Sequence, residues 1–330
     1  MRVTSSLDTI NSFEICNPVD PELMETDPAI VFNGENYIVV WADEKNSQPN
    51  VFYITSARVT PQGVVLDTGI RISSGTGTSE SRPNIAYDGN RSLVVWYKSS
   101  TGIYGRFINN NGQPEGSVIT IASGSNGGSN LAFGDSNYLV VWFIGTYPNL
   151  EIVGRLVSRQ GTYIGNTINI AMGSGCHRWA DVKFDGRNFL VIWQTGDNNA
   201  GQIIYGQFIS KNGTLVGSNF IISNNTNTQR WWPALAVSDS NFLVTWQQGT
   251  ITDIYGNVDI TTSGIAETGT SIYNARPIQT IFSRNLKFIN DKQYVVYDVT
   301  GKQVTASQLK QGIYFIKDEN QFLKKLILVK

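Results

Sequence analysis

Seven residues carry most of the chemistry this chain could bring to one site: Arg82, His177, Arg178, Trp179, Arg230, Trp231 and Trp232. They fall in three short runs, Ser81-Arg82, Cys176-His177-Arg178-Trp179 and Gln229-Arg230-Trp231-Trp232. Aromatic faces stack on sugar rings, and the Arg fork binds carboxylates and hydroxyls. The chemistry these runs suggest is recognition of a ligand. The opposing reading makes one or more of the Trp a packing plug covered by Arg stems. His177 is the only His, and Cys176-His177 offers two adjacent ligands where zinc takes four at separated spacings. No metal site is expected, and His177 reads otherwise as a surface or loop-capping residue. Cys16 and Cys176 fall in different parts of the repeat and are expected to remain thiols rather than a disulfide. Glu22, Glu25 and Asp27 cluster before one strand and Glu80 precedes another, positions where acidic residues are solvated. Glycoside hydrolysis needs two carboxylates flanking one bond, and no acidic position recurs around the repeat. No catalytic residue is assigned. A phosphate-cradling loop, a dinucleotide fingerprint and an EF-hand run are all missing, so no cofactor is expected.

The elements that must position these residues are written as a repeat. The run Tyr37-Ile38-Val39-Val40-Trp41 returns as Ser92-Leu93-Val94-Val95-Trp96, Tyr138-Leu139-Val140-Val141-Trp142, Phe189-Leu190-Val191-Ile192-Trp193 and Phe242-Leu243-Val244-Thr245-Trp246. The Trp spacings are 55, 46, 51 and 53, a mean of about 51. Trp41, Trp96, Trp142, Trp193 and Trp246 hold one fixed position in one apolar strand, so they read as packing between repeats, not as a ligand ladder. Asp88-Gly89 and Asp185-Gly186 precede two of these strands and predict hairpins with two residues at positive φ. Turn glycines follow at 63, 112, 161, 213 and 264, and a second set at 69, 116, 165, 217 and 269. The last strands read Ile70-Arg71-Ile72, Val118 to Ile121, Ile168-Asn169-Ile170, Phe220-Ile221-Ile222 and Ser271-Ile272-Tyr273.

Four short antiparallel strands per unit of about 50 residues define a β-propeller blade. The fold class is all-β: a propeller of five blades, with six as the alternative, and then a small C-terminal β-domain. Ser12-Phe13-Glu14-Ile15-Cys16 matches the last strand of a blade and is expected to complete one from outside the first repeat. Across residues 12–276 the repeat resembles those of secreted bacterial propeller proteins. That resemblance implies fold more than activity. Arg82, Arg178 and Arg230 loosely resemble the arginine triad of sialidases, without the Asp boxes of that family.

Composition changes at Pro277. Residues 277–330 hold nine Lys and Arg against four Asp and Glu, a net of +5, while residues 1–276 carry −6. All 8 Trp and 30 of the 32 Gly precede 277. The division expected is a propeller over 1–276 and a small β-domain over 277–330, with a degenerate sixth blade as the alternative. The tail reads Tyr297-Asp298-Val299-Thr300-Gly301-Lys302-Gln303-Val304, then Leu309 to Ile316, then Lys325 to Lys330. In that order it resembles the C-terminal sorting domain of the type IX secretion system, although the usual Pro-Asn-Pro opening is absent. The resemblance implies secretion machinery as a partner and a secreted or cell-surface location. No charged-then-apolar leader precedes the first repeat, so an exported form would have shed its signal peptide.

The net charge of −1 gives no footprint for nucleic acid, and no apolar run is long enough to span a bilayer. The expected function is a non-catalytic recognition module for carbohydrate or a surface protein. A glycan-active enzyme of sialidase or glycosidase type is one alternative, and a structural spacer is the other.

Overall fold

A computed structural model shows an all-β, five-blade propeller. It describes residues 24–260, with short breaks at 46–47, 68, 75–77, 125, 174, 197–201, 224–228, 239–240 and 249–252. It also describes 2–3, 9–11, 13–16, 279–283, 295–297, 303–305, 312–317 and 323–328. Strands β1 (Arg2–Val3) and β2 (Thr9–Asn11) form a small antiparallel pair. Blade one is β3 (Glu25–Phe32), β4 (Tyr37–Lys45), β5 (Gln48–Val59) and β6 (Ile70–Arg71). Blade two is β7 (Glu80–Tyr87), β8 (Ser92–Lys98), β9 (Gly102–Ile108) and β10 (Pro114–Ser123). Blade three is β11 (Asn126–Gly134), β12 (Asn137–Thr146), β13 (Asn149–Ser158) and β14 (Tyr163–Ala171). Blade four is β15 (His177–Phe184), β16 (Asn188–Thr195), β17 (Ile203–Ser210) and β18 (Leu215–Ile221). Blade five begins with β19 (Arg230–Val237), β20 (Asn241–Gln248) and β21 (Asp253–Ile260).

The chain divides into two compact units. The first holds residues 1–191 and 208–217, and the second holds 192–207 and 218–330. In the first unit, the first strands of successive blades lie side by side, β3 beside β7, β7 beside β11 and β11 beside β15. The apolar run of each second strand is explained by burial on both faces. On β8, Val94 and Trp96 pack toward Ile38, Val40, Ile54 and Ile72 of blade one. Leu93 and Val95, one residue out of phase, pack toward Leu131, Tyr138, Val140 and Trp142 of blade three. The turn after the third strand reaches back onto the preceding blade. Gly112 (φ +73) sits against Ile70, Ser56 and Arg58, and Gly161 (φ +84) has Ile119 at 2.8 Å from where a Cβ would stand. Glycine is required there for both its backbone angle and its lack of a side chain.

Two sequence expectations change. Residues 13–16 are irregular, not a strand, and Phe13, Ile15 and Cys16 instead cover Val39, Trp41, Ala57 and Val59 on blade one. The Asp-Gly hairpins also differ from the expected type. Gly89 and Gly186 have positive φ, but their neighbours do not. The Asp side chain closes the turn instead: Asp88 Oδ1 accepts from the N–H groups of Asn90 and Arg91, each at 2.9 Å, and Asp185 does the same for Arg187 and Asn188.

In the second unit the fifth sheet does not stop at four strands. β22 (Gln279–Ser283) pairs antiparallel with β21, and β26 (Leu323–Leu328) pairs parallel with β22. Then come β25 (Gly312–Lys317), β23 (Val295–Tyr297) and β24 (Gln303–Val304), giving eight strands in one sheet. The expected last strand Ser271-Ile272-Tyr273 and the glycines at 264 and 269 lie outside the described residues.

Candidate functional site

One local device recurs at the start of every first strand. Asp27, Arg82, Gly128, Trp179 and Trp232 have φ of 55, 52, 56, 57 and 48°. Four of the five are not glycine, and each such residue costs roughly 1–2 kcal/mol. In β3, β7, β11 and β19 the ladder slips at this point. Thr26 faces Ala42 but Ala29 faces Val40, so Asp27 and Pro28 together oppose Trp41. Arg82 and Pro83 oppose Trp96 in the same way, Gly128 and Ser129 oppose Trp142, and Trp232 and Pro233 oppose Trp246. These are β-bulges, two residues against one, and a bulge re-aims the side chain it carries. Proline is tolerated in three of them because a bulge residue need not donate to the ladder. The repeated Trp is buried in every blade and stands opposite the bulge in those four.

Within the first unit the positive-φ residues of β3, β7 and β15 come together. The backbone N–H of Arg82 donates to Asp27 Oδ2 at 3.2 Å. The Arg82 guanidinium lies over the Trp179 ring, 5.0 Å from its centroid. Asp27 and Arg82 are exposed and Trp179 is half-buried. The intervening blade contributes Gly128, where the Phe143 ring takes the space a side chain would fill, 2.7 Å from where a Cβ would stand. The arrangement is a carboxylate, a guanidinium and an indole face on strained, rigid backbone.

A second group of carboxylates belongs to blade one. Glu25 faces Asp43 across β3 and β4. Burial, and then the Asp43 charge, push the Glu25 carboxyl above its usual range. Asp43 is also raised by burial, opposed by the Thr55 hydroxyl, which donates to it at 3.0 Å, and by Arg71 and Tyr53. Arg71 stacks on Tyr53 at 4.0 Å. Glu80 is buried and tied down, accepting from Ser73 Oγ with Lys98 Nζ 3.6 Å away. It serves the packing of blade two.

The other sequence candidates are placed as follows. The three runs, loops by sequence, are the opening residues of β7, β15 and β19, and in β7 and β19 pairing continues on either side of the bulge. His177 is not at the surface. It opens β15 at 9% exposure, where burial lowers its pKa. Arg178 beside it is half-buried. In the second unit Arg230 is 0% exposed. Its Nη1 donates to the Gln202 carbonyl at 2.5 Å, its Nε to Gln248 Oε1 at 3.0 Å, and its N–H to Gln202 Oε1 at 2.7 Å. A guanidinium so enclosed organises blade five and does not present itself to a ligand in solution. Trp231 is half-buried and Trp232 is 59% exposed, with the two rings 6.3 Å apart. Cys16 and Cys176 are both thiols. Residue type alone reads Asp27 as one of several acidic residues that line a rim or are simply solvated before a strand. The signal that finds it is alignment on the proline that follows, since Asp27-Pro28, Arg82-Pro83 and Trp232-Pro233 occupy one position in three units. Glu22 lies outside the described residues.

No family model matches the chain, and no curated protein matches it. Solved structures do. A Dyadobacter fermentans protein of unknown function superposes with a TM-score of 0.52 at 11% identity, covering 73% of this chain and 80% of that one. The catalytic domain of a Coprinopsis cinerea family-62 α-L-arabinofuranosidase gives 0.47 at 13% identity, over 75% and 94%. A family-43 endo-arabinanase from Bacillus licheniformis gives 0.40 at 10% identity, over 84% and 96%. Identities this low speak of a shared fold alone.

Proposed function

We propose that this protein is a non-catalytic, carbohydrate-recognising propeller, and that Asp27, Arg82 and Trp179 form its sugar-binding floor. The observation that carries the reading is the meeting of three positive-φ residues, with Arg82 held over Trp179 and Asp27 beside it. Strained backbone persists where the surrounding structure enforces it, and such residues cluster at binding sites. An indole face supplies the apolar contact for a sugar ring, while Asp27 and Arg82 supply an acceptor and donors for hydroxyls. Among the described bulge positions there is one carboxylate, which favours holding a glycan over cleaving it. We place the protein outside the cell, with residues 277–330 as its sorting and anchoring segment, on the strength of the tail motif.

Hydrolysis is the second reading, favoured by Glu25 and Asp43. Carboxyls held above their usual range are suited to donate a proton to a leaving oxygen. A glycan array, followed by product analysis on each hit, separates the readings. Recognition predicts hits that survive intact and that Trp179→Asn abolishes, asparagine being among the residues that accept positive φ. Products formed by the wild type and lost in Glu25→Gln or Asp43→Asn would establish hydrolysis instead. Hits that survive Trp179→Asn would overturn the recognition floor, and an array without hits or products would overturn both readings.

A further inference from the structure

The geometry points to a carboxylate-bearing glycan, a polymer of uronic acids, as the ligand of the Asp27–Arg82–Trp179 floor. The inference rests on the recognition reading above and deepens it. Arg82 is exposed, and its guanidinium forms no ion pair among the described residues. Its recorded side-chain contact is the Trp179 ring. Arg187 is likewise exposed with no ion pair among the described residues, whereas three other arginines are held. Arg58 is bound to Asp67 at 2.6 Å, Arg91 pairs with Glu115 at 3.2 Å, and Arg155 donates to the Ile121 carbonyl at 2.8 Å. Stacking fixes the plane of the Arg82 fork while leaving its N–H edge open, and a planar carboxylate fits that edge with two parallel hydrogen bonds.

Charge narrows the class further. Asp27 stands beside Arg82, so the floor carries one positive and one negative group. It can accept one negative charge at Arg82 while Asp27 takes sugar hydroxyls. A sulfate or phosphate ester, with charge spread over more oxygens, would bring those oxygens against Asp27.

The test uses isothermal titration of the full chain with three trisaccharides: galacturonate, its complete methyl ester, and a sulfated galactan of equal length. Esterification removes the charge and keeps the ring. The acid is expected to bind at least about tenfold more tightly than the ester, the scale of one charge-assisted bidentate contact. Arg82→Gln and Arg82→Gly should bring the acid down to the ester's affinity. The glycine variant keeps the positive φ unstrained, so its folding is secure where glutamine's is not. Trp179→Asn should weaken acid and ester alike. Equal binding of acid and ester, equal loss of both in Arg82→Gly, or tighter binding of the sulfated chain would each overturn the uronate assignment. If neither galacturonate form binds while array hits still depend on Trp179, uronate is wrong and recognition stands. If Trp179→Asn leaves every hit unchanged, the recognition reading itself fails.

Discussion

Thr195 and Gln248 each stand two residues beyond a repeated Trp and accept its indole N–H, at 3.0 Å from Trp193 and 3.1 Å from Trp246. At the corresponding positions the earlier blades carry Asp43, Lys98 and Ile144, and the N–H groups of Trp41, Trp96 and Trp142 have no hydrogen-bond partner among the described residues. The five Trp are therefore alike in burial but unlike in satisfaction, and that difference was readable only once the strand ends were known. Replacing Thr195 by Val keeps the shape and removes the acceptor. A buried donor left unpaired costs about 1–3 kcal/mol. Thr195→Val should therefore lower the melting temperature by several degrees, read by calorimetry, whereas Thr167→Val on the exposed strand β14 should move it far less.

At the scale of elements, the bulge and the repeated Trp work together. The Trp fills the space opposite two residues, and the displaced residue turns out of the ladder at positive φ. The sequence shows the Trp of every blade but not the bulge, because a slip of one residue in a ladder leaves no periodic trace. The same blindness affects the end of blade five. Its fourth strand is β22, which begins two residues beyond the composition break. Removing 277–330 takes away that strand, whereas removing 284–330 leaves it paired with β21. The shorter deletion is expected to melt near the full-length chain and the longer one well below it. Equal melting of the two would show that β22 contributes nothing to blade five.

The whole molecule has a net charge near zero and one histidine, so its acid response can be assigned. Burial lowers the His177 pKa, which means that the unfolded chain takes up this proton first. The stabilisation is complete above the unfolded value of about 6.5 and is lost as pH falls below it. Glu25 and Asp43 act in the opposite sense. Their raised values mean that the folded state holds protons longer, so they favour folding in acid, and that contribution is lost as pH rises above about 4. Melting temperature should therefore fall from pH 7 to pH 5.5, and His177→Gln should flatten this slope without changing the behaviour near pH 4. An unchanged slope in the variant would remove His177 from the account.

The sequence by itself determined the blades. A strand buried on both faces must be apolar at nearly every position, a turn with positive φ calls for glycine, and five copies at one spacing leave a propeller as the economical fold. Those constraints are local and repeat, so they survive in one dimension. The sequence also supplied Arg82 and Trp179 as candidates, by residue type, and the following proline aligns Asp27 with Arg82, but nothing in it joins Trp179 to that pair or separates them from Arg230. Tertiary structure decided both. Asp27, Arg82 and Trp179 are brought together because first strands from different blades lie side by side and each turns to positive φ at the same point. Arg230, at a similar place in its own run, opens its strand before the bulge rather than on it, and is drawn into the interior by Gln202 and Gln248. Two positions along a strand decide between solvent and core, and only the register of the folded ladder fixes which residue takes which.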